Sequence, residues 1–242
     1  GVQYDQSVAA LTILARILWL QGQPEQAWRT ARQALDIAIQ INHGTSICYT
    51  LALAGCLIAH YNGDTRSARE LLHLLLEQAQ KHSVLLFYTW ARHYAQVIDP
   101  AKTQLSLSPG NGLIKDIMVT LDSDFVDEAL LHRADTGTAG WSTAEILRAR
   151  ANRLLAEDCP LQTEAAEAVL IRALNVAQTQ GALAWELRSA TSLAQLWRRQ
   201  GRNQQAHDLL VPIYHRFTER FTTPDLMKVR RLLDELQSLL PA

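Results

Sequence analysis

The stretch GQPEQAWRTARQAL, residues 22–35, holds the reading that decides the fold. A glycine ends one apolar helical run, and Ala27 follows five residues later inside the next. The same spacing returns in GDTRSARELLHLLL (residues 63–76), where Ala68 follows Gly63, and in GRNQQAHDLLVPIY (residues 201–214), where Ala206 follows Gly201. Gly22 and Gly63 lie 41 residues apart. One repeat before Ala206 stands Ala166, in TEAAEAVLIRALNVA, with an Asp158-Cys159-Pro160 turn in place of the glycine. Four copies of one helix–turn–helix unit are legible, and a recurrence of this length signals stacked repeats. In each copy a first helix carries apolar residues at three- and four-residue intervals, such as Leu11, Leu14, Ala15 and Leu18. The small alanine suits a close helix crossing. Positions four and seven further on (Ala31 and Ala34, Leu72 and Leu75, Leu170 and Ala173, Leu210 and Ile213) belong to the core. A lone hairpin cannot cover its own apolar face, so neighbours must stack.

Composition agrees. The 242 residues include only 11 Gly and 7 Pro, and 48% are hydrophobic, which points to an all-helical chain with a real core and excludes wholesale disorder. A net charge of −1 gives no general attraction to nucleic acid or anionic membrane. Arginine clusters at Arg198-Arg199-Gln200-Gly201-Arg202 and Arg230-Arg231 are offset by acidic residues almost one for one, so no nucleic-acid contact is expected. The only methionines are Met118 and Met227, and the expectation is an excised piece of a longer protein. The longest apolar stretch, residues 47–59, is too short to cross a bilayer and reads as a buried helix. Cys48, Cys56 and Cys159 lack ligand-pair spacing, which favours a reducing, cytoplasmic setting.

Between residues 99 and 140 the pattern breaks. Asp99-Pro100 and the Ser106-Leu107-Ser108-Pro109-Gly110 cluster interrupt it, short helices fall near residues 112–121 and 124–132, and the loop Thr136-Gly137-Thr138-Ala139-Gly140 follows. Two readings stay open: a lid over a groove, or drift in a tolerant repeat. At the far end Thr223-Pro224-Asp225 starts a helix, with Thr223 as cap. The helix carries Leu226, Val229, Leu233, Leu236 and Leu240 on one side and Lys228, Arg231, Asp234 and Glu235 on the other, as a terminal capping helix should.

The turn glycines and crossing alanines resemble the tetratricopeptide pattern, with a period near 40 instead of 34. The segment WELRSATSLAQLWRRQG (residues 185–201), its continuation RNQQAHDLLVPIYHRFTERFTTPDLMKVRRLLDEL, and the opening VAALTILARILWLQGQPEQAWRTARQALDIAIQINH (residues 8–43) are similar to the C-terminal arms of bacterial multidomain signalling-ATPase (STAND-type) regulators. Those proteins carry an N-terminal winged-helix DNA-binding or class III nucleotide cyclase module. The resemblance implies a right-handed α-solenoid of ten to thirteen helices, with repeats near 4–42, 45–82, 83–135 (irregular), 141–182 and 184–220 and a capping helix at 224–240. It also implies a cytoplasmic sensor or interaction domain whose partner is a protein or the ATPase module of its own chain, with a small-molecule effector or a homodimer as further options.

No HExxH, GxSxG or phosphate-binding glycine loop is present, so no catalysis and no cofactor are expected of this stretch. Cys56 and His60 share a helix face, but no further donors converge to make a metal site. The acidic run Asp122, Asp124, Asp127 and Glu128 lacks calcium-loop spacing and reads as helix capping. The candidate site is the concave surface, which in stacked hairpins is lined by first helices. Positions before the turn glycines place Arg16, Trp19 and Leu20 there, then Leu57, His60 and Tyr61, and the middle units add Trp90, His93 and Tyr94. Glu145 and Arg148 lie beyond, and Gln195, Arg198 and Arg199 mark the far end. Such side chains carry binding energy in pockets and interfaces. Trp185 and Trp197 fall instead on core-facing positions.

Overall fold

The computed structural model describes residues 4–102, 112–157, 159–219 and 222–240. The 106–110 cluster and Asp158, both read above as breakers, lie outside the described residues. The protein is all-helical, with no strand among the described residues. Its helices are α1 (Gln6–Leu20), α2 (Pro24–Gln40), α3 (Gly44–Thr50), α4 (Cys56–Tyr61), α5 (Thr65–Lys81), α6 (Leu85–Ile98), α7 (Leu113–Leu121), α8 (Glu128–Asp135), α9 (Thr143–Ala156), α10 (Pro160–Thr179), α11 (Leu183–Arg199), α12 (Asn203–Tyr214) and α13 (Pro224–Leu239).

Seven of the described turns share one geometry. The N–H groups of Gln23, His43, Asp64, Val84, Thr138, Ala182 and Arg202 each reach the carbonyl five residues back, at 2.9–3.2 Å. The residue before each of these has positive φ: Gly22, Asn42, Gly63, Ser83, Gly137, Gly181 and Gly201. This closure satisfies carbonyls left open at a helix end, and it requires a left-handed residue. Glycine adopts that conformation freely, whereas Asn42 and Ser83 hold it against a steric cost. Gly22, Asn42, Gly63 and Ser83 follow one another at 20, 21 and 20 residues, so the repeat of 41 contains two turns of the same kind.

The chain divides into two compact units, one of residues 1–19 and 23–110, the other of residues 20–22 and 111–242. In the first, α5 packs against α3, α4 and α6, and α2 against α3 and α4. Ala27 and Ala68 are fully buried, as their crossing positions require. The buried face of α1 is Val8, Thr12, Ala15 and Trp19, and Leu14 is exposed. This corrects the apolar count made from sequence: Thr12 goes inside because its hydroxyl pairs with that of Thr50 at 2.9 Å.

The apolar run 47–59 extends into a continuous helix over Gly44–Tyr61, longer than its hydrophobic core suggests. By length and composition this helix could cross a membrane, but 83% of it is buried within the protein. Its middle, Leu51–Gly55, is a π-helical turn. The Cys56 N–H bonds Leu51 there instead of Ala52, and the Tyr94 hydroxyl donates to the freed Ala52 carbonyl at 2.7 Å. At the start of the same helix Gly44 faces the His82 ring, and a β-carbon on Gly44 would lie 2.1 Å from its Cγ. Only glycine fits there.

In the second unit α10 packs against α9 and α11, and α12 against α11 and α13; α9 also touches α11, and α11 touches α13. Ala166 and Ala206 sit fully buried at the crossings, and Trp185 and Trp197 are buried as expected. The break between the repeats resolves into α7 and α8, joined by ion pairs from Lys115 to Asp127 and from Arg133 to Asp116 (2.7 Å). Of its acidic run, Asp122 accepts from the Asp124 N–H at 3.0 Å and Asp127 from the Leu130 N–H at 3.0 Å, both capping bonds. Thr223 caps α13, its hydroxyl accepting from the Leu226 N–H at 3.3 Å. The buried side of α13 is Leu226, Val229, Leu232 and Leu236, whereas Leu233 and Leu240 are half-buried. The apolar stripe is thus rotated slightly from its reading in sequence.

Candidate functional site

In the first unit the predicted groove residues are mostly interior. Trp19 is buried, donates its indole N–H to Asn62 Oδ1 at 2.9 Å and packs tilted against Tyr61 with ring centroids 4.4 Å apart. Tyr61 and Trp90 are buried too, the latter edge-on to Phe87 at 5.7 Å. His93 is buried, with its Nδ1 3.4 Å from Gln96 Nε2, and Tyr94 is consumed by the Ala52 carbonyl. Arg16 and His60 are half-buried. These aromatic groups fill the core because a partner inside the protein meets their polar tips, as at Trp19 and Tyr94. Burial also keeps the nearby cysteines as thiols: Cys48 is pushed up to about 11, and Cys56 higher still. No cluster of metal-ligating side chains occurs among the described residues.

The second unit is different. Glu145 on α9 has no exposed surface, yet it carries charge. Burial alone would raise its pKa, but the charges and hydrogen bonds of Arg148 and Arg188 outweigh that and lower it. Arg148, one helical turn on, donates through Nε at 2.8 Å and through Nη2 at 2.9 Å, a forked pair at i, i+3. Arg188 on α11 donates through Nη1 to the same carboxylate at 2.9 Å and to the Thr120 carbonyl at 3.0 Å, and through Nε to Asp225 on α13 at 2.8 Å. Its guanidinium also lies over the Trp185 ring, 4.8 Å from the centroid. The capped start of α13 places Asp225 in its first turn, beside Arg188.

Arg148, Arg188 and Asp225 open onto a cavity of about 210 Å³ that is also lined by Thr120, Leu121, Thr191, Ser192 and Lys228. Lys228 is exposed overall, but desolvation of its ammonium, then the charges of Arg148 and Arg188, lower its pKa against the pull of Asp225. It makes no ion pair with any described residue. A second cavity of about 330 Å³ shares Lys228 and is lined further by Gln195, Arg198, Met227, Arg231, Leu232 and Glu235. Arg198 contacts Glu235 across it, while Arg199 is exposed and turns its Nε to its own helix, 3.4 Å from the Gln195 carbonyl. Of the residues predicted for the groove, the structure therefore brings Arg148, Gln195 and Arg198 to a pair of cavities that share Lys228, while Glu145 lies buried behind the first and is held by Arg148 and Arg188.

Sequence reasoning missed Arg188, Asp225 and Lys228. A signal was present: Arg188 stands 43 residues after Glu145 and Asp225 37 after Arg188, close to the repeat length. Lys228 belongs to the charged side of the capping helix, which is exposed, yet its side chain lines both cavities together with residues of α11. Comparison with protein-family models, with curated proteins and with solved structures gave no match.

Proposed function

We propose that this chain is a non-catalytic sensor or interaction domain, built of lengthened tetratricopeptide-like hairpins stacked as a right-handed solenoid. In this reading it is an arm of a bacterial cytoplasmic signalling-ATPase regulator, and a partner protein or small effector bound along its first helices alters how the arm engages the ATPase and output modules. The 41-residue register of like turns supports the repeat, and the sequence resemblance supports the family. The observation that carries the sensing role is the ion-paired cavity where α9, α11 and α13 present their charged sides together. A network of desolvated charges is costly to assemble, and hydrophobic packing would hold three helices together equally well.

A second reading, a self-association scaffold without a small ligand, draws support from Ile13, Leu14 and Ile17, which expose an apolar strip on α1. One experiment separates the two. Thermal unfolding of the chain across a metabolite library is compared with that of Lys228→Glu, and sedimentation is followed against concentration. Sensing predicts a compound that raises Tm in the parent chain and not in Lys228→Glu. A concentration-dependent dimer whose Tm answers to no compound supports the scaffold and overturns sensing.

A further inference from the structure

Around the cavity between α9, α11 and α13 there is an excess of one positive charge among the described residues: Arg148, Arg188, Lys228 and Asp225 line it, and the buried Glu145 lies behind the lining, paired with the two arginines. Arg188 is clamped on several sides, so it builds the wall. The groups with capacity left are different ones. Arg148 uses Nε and Nη2 on Glu145 and retains Nη1; Lys228 makes no ion pair, and the Ser192 hydroxyl makes no hydrogen bond, among the described residues. Three donors of this kind on one small cavity are suited to a planar or tetrahedral oxyanion.

From this arrangement we infer that the cavity binds the carboxylate of a small organic acid, whose short apolar tail runs past Lys228 into the adjoining cavity beside Met227 and Leu232. Charge selects the carboxylate. A monoanion brings the site to neutrality, whereas a phosphate dianion would leave it negative next to the Glu145 and Asp225 carboxylates, in a partly desolvated place where repulsion is weakly screened. Size agrees, because about 210 Å³ admits a carboxylate with its first carbons and the adjoining 330 Å³ admits the tail. The inference deepens the sensing reading and rests on it, by naming the chemistry of the effector.

Equilibrium dialysis of the chain with radiolabelled butyrate at fixed ionic strength tests it. The site predicts saturable binding to one site, with acetate competing more weakly than butyrate and inorganic phosphate more weakly than acetate. Lys228→Met, an exposed position whose replacement spares the fold, weakens butyrate at least about tenfold, and Ser192→Ala weakens it by a smaller factor. Absence of saturable binding, equal binding by Lys228→Met, or phosphate competing better than acetate overturns the assignment. These results leave sensing of some other ligand intact, since that is judged by the library screen and not by butyrate.

Discussion

Arg188 on α11 donates to the fully buried carboxylate of Glu145 on α9 at 2.9 Å, and this contact joins two helices whose sequences lie a repeat apart. Removing a single member of such a pair strands charge in the interior, which typically costs several times what an exposed pair is worth. Glu145→Gln keeps shape and loses charge, and is expected to lower unfolding free energy by about 3 kcal/mol. Urea denaturation measures it; a loss no larger than that of a surface substitution would show that the network is decorative.

The same carboxylate sets a pH dependence. Its folded pKa lies below the unfolded value of 4.5, so its ionised form adds stability above about pH 4.5, and that contribution fades as pH falls through the lowered folded value. Unfolding free energy followed through this acid window should fall more steeply in the parent chain than in Glu145→Gln. Parallel curves would mean that Glu145 does not titrate with folding.

Turn geometry gives opposite signs at related positions. Gly201 has φ of +77° and open space around its missing β-carbon, so Gly201→Ala tests backbone strain alone and should destabilise by about 1 kcal/mol. Ser83 holds φ of +55° with a side chain, so Ser83→Gly should be neutral to stabilising by some tenths of a kcal/mol. Thermal unfolding of the two variants that moved in the same direction would contradict the shared turn.

Gly44 and His82 form a contact that admits no β-carbon. Gly44→Ala is expected to lose about 1–3 kcal/mol by overpacking, and the added change His82→Ala should recover part of it. A double-mutant cycle with no coupling would place the strain elsewhere.

Tyr94→Phe removes the donor that meets the Ala52 carbonyl in the π-helical turn, and leaves that buried acceptor orphaned at a cost of about 1–2 kcal/mol. Amide exchange should quicken first at Leu53–Cys56, ahead of the rest of α3 and α4. Uniform acceleration would show no special role for the turn.

The helices were legible in sequence because turn chemistry and apolar period agree. Gly22, Gly63 and Gly201 mark left-handed turns, and the alanine five residues after each is buried where helices cross. The intervening turns were not legible, because Asn42 and Ser83 adopt the same conformation without announcing it. The site was half legible. Gln195 and Arg198 were found from their place before a turn glycine, and Glu145 and Arg148 from the first helix of a middle unit, but the same reasoning gave Trp19, Trp90 and Tyr94, which the core absorbs. Position along a helix gives the face of a residue, and whether that face meets solvent depends on a neighbour that periodicity does not identify. Lys228 shows the converse, an exposed residue on the charged side of a terminal helix that still lines a cavity with residues of α11.

The central claim is that ligands enter through the cation excess beside Arg148 and Lys228, and nitrogen-detected NMR of arginine Nε and lysine Nζ groups tests it most directly. Titration with sodium butyrate at fixed ionic strength should move the Arg148 and Lys228 resonances together, with saturation, while exposed Arg29 on α2 stays in place. Equal shifts at Arg29, or none at Arg148 and Lys228, would contradict it.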